Sequence, residues 1–251
     1  MADRIPTGIQ GFDELVQGGF PRGSSILYTG TPGTGKSIFG MQFIYNGALK
    51  FKEKGAYVTF EETADEIKEQ ATMFGWDFDK LEKAGKVKII SIPARQITDT
   101  TSTEIINLVK KDGYKRLVID SLSTLSINAP IYNVMGDVRV KDVVGDNVFF
   151  SPPVVGDVLI KKFIYGFIDD LKSMKDVTTI CISETPKESE YLSRDTISEF
   201  LCDGVIVVSF ESLGGAYSRS LLVRKLRRTK NDEDIHPVEI SEKGLVVHSI
   251  E

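Results

Sequence analysis

The segment Gly30-Thr31-Pro32-Gly33-Thr34-Gly35-Lys36-Ser37 has the spacing G-x-x-x-x-G-K-[ST], and it constrains this chain more than any other feature. The run before it, Ser25-Ile26-Leu27-Tyr28-Thr29, is apolar and reads as a strand. The run after it, Ile38-Phe39-Gly40-Met41-Gln42-Phe43-Ile44, reads as the start of a helix. Strand, glycine turn and helix in that order gather backbone N–H groups around one small volume, with the positive end of the helix dipole behind them. The glycines let the loop curl without Cβ clashes. A polyphosphate suits such a cradle. Thr31, Pro32, Gly33, Thr34 and Gly35 are expected to wrap it, Lys36 to sit on the β- and γ-phosphates, and the Ser37 hydroxyl to hold Mg2+.

The rest of the chain alternates strands with helices. Strands are expected at 25–29, 56–60, 87–92, 116–120, 177–183 and 204–210, and helices at 36–52, 64–74, 102–111, 160–174 and 195–201. Two helix starts have capping-box spacing, Thr63 with Glu66 and Thr101 with Glu104. Such alternation implies a mostly parallel sheet covered on both faces. Three further strands, at 219–229, 236–241 and 244–249, follow without intervening helices and predict antiparallel additions at one edge. At 251 residues the whole chain, 1–251, is read as one α/β domain. Residues 128–160, rich in valine but broken by Pro130, Gly136, Gly145, Pro152, Pro153 and Gly156, read as short hairpins inserted between a strand and a helix.

The net charge of −5 gives no global attraction to nucleic acid or to an anionic membrane. No apolar run reaches membrane-spanning length, and the first residues do not read as a signal peptide. Cys181 and Cys202 fall in or beside apolar strands and read as buried reduced thiols. A cytoplasmic location is the expectation.

Three segments add chemistry to the phosphate loop. The strand Arg116-Leu117-Val118-Ile119-Asp120 ends in a carboxylate suited to Mg2+, as on a strand neighbouring the phosphate-loop strand. The strand Tyr57-Val58-Thr59-Phe60 ends in Glu61-Glu62, placing two carboxylates where a water attacking a γ-phosphate needs orientation and a base; alone, they would equally be solvated acids at a helix N-terminus. Ser183-Glu184-Thr185 ends another strand, either as a γ-phosphate sensor or as a plain terminus. The strand 220–229 carries Arg224, Lys225, Arg227 and Arg228. Period-two alternation puts Lys225 and Arg227 on one face, where they could grip a phosphate. A charged edge that resists aggregation, or a nucleic-acid backbone surface, fits the same residues.

Taken together these motifs resemble the KaiC family of RecA-like P-loop ATPases. The resemblance begins at Thr7-Gly8-Ile9-x-Gly11-Phe12-Asp13-Glu14-Leu15 and Gly18-Gly19-Phe20-Pro21-Arg22-Gly23. It continues through the phosphate loop, Phe60-Glu61-Glu62-Thr63, Phe74-Gly75-Trp76-Asp77 and Ile119-Asp120-Ser121-Leu122. It closes at Glu199-Phe200-Leu201-Cys202-Asp203 and Lys225-Leu226-Arg227-Arg228-Thr229. It implies an ATP- and Mg2+-dependent ATPase acting as a ring, a hexamer, with nucleotide between subunits. It implies that Glu61, ahead of Glu62, activates water, that Lys225 and Arg227 reach the neighbouring subunit's γ-phosphate, and that Arg219 is a further trans-acting cation. The KaiC clock protein has two tandem domains, whereas this chain has one. Two other readings stay open: a nucleotide-gated DNA-binding or recombination accessory protein, and a Ser/Thr autokinase. Residues 128–160 carry two cations against four carboxylates, which favours a protein or inter-subunit contact there over DNA.

Overall fold

The computed structural model describes residues 3–130, 152–186, 190–213 and 216–250. Among them, nine strands form one sheet in the order β11-β10-β9-β8-β3-β7-β6-β4-β5. The parallel centre comprises β3 (Ser25–Gly30), β4 (Gly55–Thr59), β5 (Val87–Ser91), β6 (Arg116–Asp120), β7 (Thr178–Glu184) and β8 (Gly204–Leu213). The antiparallel edge comprises β9 (Ala216–Leu226), β10 (Ile235–Ser241) and β11 (Gly244–Val247). A short ribbon pairs β1 (Arg4–Ile5) with β2 (Phe20–Pro21).

The inner strands β3, β4, β6 and β7 are buried on both faces, so their alternate residues enter two separate cores. Ile26, Tyr28, Tyr57, Val118, Ile180 and Ile182 face one core, shared with α2 (Lys36–Lys50), α3 (Ala64–Thr72) and α4 (Phe78–Lys83). Leu27, Val58, Leu117, Ile119 and Cys181 face the other, shared with α5 (Thr101–Asp112), α6 (Leu122–Ile127) and α7 (Pro152–Ser173). The glycine-rich N-terminal motif belongs to the first core. There the Asp13 carboxylate, on α1 (Phe12–Leu15), accepts the Thr7 and Gly8 amides at 2.8 Å. Asn46 of α2 donates to the Thr7 and Gly8 carbonyls, which ties this arm to the helix that follows the phosphate loop.

The alternation, the sheet and the antiparallel edge agree with the sequence reading, and so does the Thr63/Glu66 capping box, whose two bonds are both present. Four details differ. No box forms at Thr101, because its hydroxyl accepts the Thr98 amide upstream while Thr100 donates to Glu104, leaving Thr100 as N-cap without a side-chain cap. Residues 152–160 belong to α7 rather than to a hairpin. First-turn amides have no intrahelical partner, so Pro152 and Pro153 are tolerated there and the prolines mark a start, not a loop. The helix expected at 195–201 is the single turn α8 (Ser198–Leu201), because the Asp195 carboxylate takes the Ile197 and Ser198 amides. Finally, β6 does not adjoin β3, since β7 lies between them. The remaining inserted residues, 131–151, to which a protein contact was ascribed, lie outside the described residues.

Candidate nucleotide site

The parallel strands end level with one another. Gly30 of β3 pairs with Glu184 of β7, and Thr59 of β4 pairs with Asp120 of β6. In an open α/β sheet the crevice beyond these carboxyl ends is where ligands bind. The loop from Gly30 to Ser37 opens there and turns into α2 through Gly35, which caps the helix at φ 92°, in the left-handed region. A Cβ on Gly30 would lie 2.2 Å from the Val208 carbonyl oxygen, so only glycine fits between β3 and β8 at this point.

Lys36 curls back over its own loop, its Nζ donating to the Gly30 and Thr31 carbonyls at 3.0 and 2.9 Å. Burial lowers its pKa, while the nearby carboxylates of Glu184, Asp120 and Glu61 pull the other way. A cavity of about 240 Å³ is lined by Gly33, Gly35, Lys36, Ser37, Ile38 and, from β10, Ile240. Arg219 also lies here. Its Nε donates to the Gly33 carbonyl at 3.1 Å and its guanidinium stacks 4.5 Å from the Phe210 ring centre. The resemblance implied that Arg219 acts on a neighbouring subunit; within its own chain the side chain rests on the phosphate loop and on Phe210, the residue it pairs with on β8.

The Ser37 hydroxyl donates to Asp120 Oδ2 at 2.7 Å, and the Tyr57 hydroxyl donates to the same oxygen. Hydroxyl and carboxylate thus meet at one point even though β7 separates their strands. Among the described residues no group of three or more His, Cys, Asp or Glu could hold a metal alone. Ser37 with Asp120 fits an Mg2+ that takes its other ligands from phosphate oxygens and water, as this ion usually does. Tyr57 was not anticipated from the sequence. Its ring lies in an apolar strand and only its polar tip enters the site.

Burial raises the Asp120 pKa, with Glu61 and Glu62 adding to the shift and the Tyr57 and Ser37 hydroxyls opposing it. A carboxyl raised in the fold binds more protons folded than unfolded, so its cost to stability sets in as pH rises past the unfolded value and is complete above the folded pKa. Asp120→Asn keeps an acceptor for both hydroxyls and removes that cost. It is expected to raise the Tm of the nucleotide-free protein at pH 7 by about 2–4 °C, roughly 1 kcal/mol for a chain of this size, and to abolish the gain in Tm on adding ATP and magnesium. Thermal denaturation with and without nucleotide checks both halves.

The two glutamates diverge. Glu61 Oε1 accepts from Ser121 Oγ at 3.2 Å and from Thr124 Oγ1, which turns it toward the β6–α6 corner beside Asp120. Glu62 Oε1 accepts from Gln70 Nε2 on α3, and its carbonyl accepts from Ser91 at 2.9 Å, which turns it toward β5. At the end of β7, Glu184 pairs with Arg194 at 3.0 Å and its amide donates to Ser123 Oγ at 2.8 Å.

Lys225 and Arg227 lie at the opposite end of the sheet. A bulge between the Val205 and Ile206 pairs leaves Arg224 outside the register, and Lys225 then faces Val205 at the start of β8. Lys225 Nζ donates to the Glu199 and Cys202 carbonyls at 3.2 and 2.9 Å, and Arg227 donates to Asp203 Oδ1 and the Phe200 carbonyl, each at 3.4 Å. Both cations therefore rest on the turn 199–203. The start of β8 is level with the start of β3, whereas the phosphate loop begins at the end of β3. Five residue steps at about 3.3 Å separate the two levels by roughly 17 Å.

A phosphate loop on the central strand of a mostly parallel sheet, a magnesium-suited carboxylate on β6 and an antiparallel C-terminal edge define a RecA-like P-loop ATPase domain. The KaiC ATPase family model matches residues 5–251, and the chain belongs to that family. The UPF0273 protein of Thermotoga maritima is 31% identical over 267 residues, covering 100% of this chain and 98% of the relative. The circadian clock oscillator protein KaiC of Synechococcus elongatus is 30% identical over 255 residues, covering 96% of this chain but 43% of the clock protein. The crystal structure of a KaiC-like protein from the archaeon Pyrococcus horikoshii OT3 superposes with a TM-score of 0.81 at 35% identity, covering 99% of this chain and 100% of that one. No helix among the described residues is long and apolar enough to cross a membrane.

Proposed function

We propose that this chain hydrolyses ATP at the boundaries between identical subunits of a ring, six in number by the family resemblance. The observation that carries this reading is the separation of the two half-sites. The phosphate loop, Ser37, Asp120 and Glu61 occupy one end of the sheet, and Lys225 with Arg227 occupies the other, roughly 17 Å away along β3. The cation pair therefore cannot serve its own γ-phosphate. A head-to-tail association, closed into a ring, brings it onto the neighbour's.

Loop amides and Lys36 hold the β- and γ-phosphates, and Arg219 extends the same cradle from its place on Gly33. Bound at Ser37 and Asp120, Mg2+ would neutralise charge on the phosphate oxygens. Glu61 orients water for in-line attack and accepts its proton. The neighbour's Lys225 and Arg227 stabilise the charge that develops on the γ-phosphate in the transition state.

Subunit mixing tests the division of labour. Lys36→Ala rings and Arg227→Ala rings are each expected to be inactive. A 1:1 random mixture restores about a quarter of the interfaces, since each needs an intact loop from one subunit and an intact cation pair from the next. Absence of any recovery after verified co-assembly would place both half-sites within one chain and defeat the proposal.

A further inference from the structure

Asp203 stands where the cation pair meets the strand that leads to the phosphate loop. It is buried at the start of β8. One carboxylate oxygen, Oδ2, accepts the Ser25 amide at 3.1 Å and the Ser25 hydroxyl at 3.2 Å. The other, Oδ1, faces Arg227 at 3.4 Å and Lys172 of α7 at 3.5 Å. The backbone doubles the connection, since the Asp203 amide donates to the Ser25 carbonyl and the Arg227 amide to the Asp203 carbonyl, each at 2.8 Å. Among the contacts described for Lys225 and Arg227, Asp203 is the anionic one, the rest being main-chain carbonyls of the same turn.

We infer that Asp203 is the positioning residue for the trans-acting arginine: clamped to Ser25 through one oxygen, it holds the Arg227 guanidinium with the other so that it meets the next subunit's γ-phosphate already aimed. This inference rests on the proposed interface between subunits. A guanidinium on a side chain half open to solvent has several rotamers to lose on engaging a phosphate, and an anchored carboxylate removes that loss before ATP arrives. The anchor is well suited to the task. Burial works to raise the Asp203 pKa, but the Ser25 amide, Lys172, the Ser25 hydroxyl and Arg227 outweigh it and keep the carboxyl below its usual range, so the charge persists at neutral pH. Lys172 shares that charge without competing for the exposed side of Arg227, because its amine also donates to the Leu201 carbonyl.

Asp203→Asn keeps acceptors for Ser25 and removes the charge on Arg227. Its ATPase turnover is expected to fall about ten- to a hundredfold, with ATP affinity at its own phosphate loop unchanged, because the damage lies at the far end of the sheet. The decisive readout is the pattern of mixing. Asp203→Asn subunits mixed with Lys36→Ala subunits recover activity, because the first supplies an intact loop and the second an intact cation pair. Mixed with Arg227→Ala subunits they recover none, since both lack a working pair. A residue that only stabilised its own subunit would break this pattern, and recovery with Arg227→Ala or full activity of Asp203→Asn alone would overturn the inference. Should Asp203→Asn be insoluble, Asp203→Glu, which keeps the charge but displaces it, must give the same pattern in milder form, and failure to do so overturns the inference equally. If Lys36→Ala and Arg227→Ala fail to complement each other, the interface itself is wrong and this inference falls with it. If they complement while Asp203→Asn with Lys36→Ala does not, only the role of Asp203 is lost.

Discussion

Glu61→Gln is expected to lower ATPase turnover by about a hundredfold or more, the scale of a lost general base, while Glu62→Gln costs less than about tenfold. The two residues are adjacent just beyond β4, yet the fold turns their carboxylates to different partners. Glu61 is held by Ser121 and Thr124 immediately after the strand that carries Asp120, which places it beside the phosphate end of the crevice. Its charge is felt by Lys36, together with those of Asp120 and Glu184. Glu62 is occupied by Gln70, in the last turn of α3. Glutamine at 61 keeps the size and the acceptor oxygen but cannot take a proton, so ATP affinity should persist while turnover falls. Steady-state hydrolysis and equilibrium nucleotide binding on the two variants separate these effects. Equal losses for both, or a larger one for Glu62→Gln, would reverse the assignment.

Glu53→Ala is expected to destabilise the protein by about 3–5 kcal/mol, a large share of the 5–15 kcal/mol typical of a folded domain. Its partner Arg116, at the start of β6, is fully buried. Arg116 Nε donates to Glu53 Oε2 at 2.8 Å and its NH1 to the Phe43 carbonyl at 3.2 Å, with the guanidinium stacked between the Phe43 and Phe51 rings at 4.6 and 5.1 Å. Burial lowers the Arg116 pKa while Glu53 opposes the shift, yet a guanidinium does not give up its proton at ordinary pH. Without Glu53 the cation stays in the core with no counter-charge in contact, and Arg22, which Glu53 also holds at 3.1 Å, is left with Asp3 as its ion-pair partner. The site cannot relax around it, since Gly47 presses on the guanidinium so closely that a Cβ there would lie 2.5 Å from Nε. Replacing both members, Glu53→Leu with Arg116→Met, removes charge and counter-charge together and should cost far less than Glu53→Ala alone. Urea unfolding midpoints at constant slope decide the matter, and a loss below about 1 kcal/mol for Glu53→Ala would show that the pair is already solvated.

Much of this architecture was legible because it depends on local chemistry. The strand before Gly30 and the helix after Ser37 follow from one apolar run and one glycine turn, and the Thr63/Glu66 cap from a four-residue spacing. The Thr101/Glu104 spacing was equally good but failed, because Thr98 competed for the same hydroxyl. Spacing states what a cap could do, and a neighbouring turn decides whether it is used. Pro152 and Pro153 misled for a related reason: proline breaks a helix interior but is tolerated in a first turn, and sequence alone did not say which applied.

By itself the chain determined the class of fold and the kinds of groups available: a phosphate loop, two strand-end carboxylates and a basic strand. These depend on residue type and on spacings of a few residues, which side-chain periodicity and backbone sterics translate directly into local structure. Only the tertiary structure decided where they stand relative to one another. It brought Ser37 to Asp120 across an intervening strand, turned Glu61 toward that pair and Glu62 away from it, laid Arg219 on its own loop, and carried Lys225 and Arg227 to the far end of the sheet beside Asp203. Strand order and register set those relations, and they arise from packing between segments far apart in the chain, about which no short window of sequence carries information.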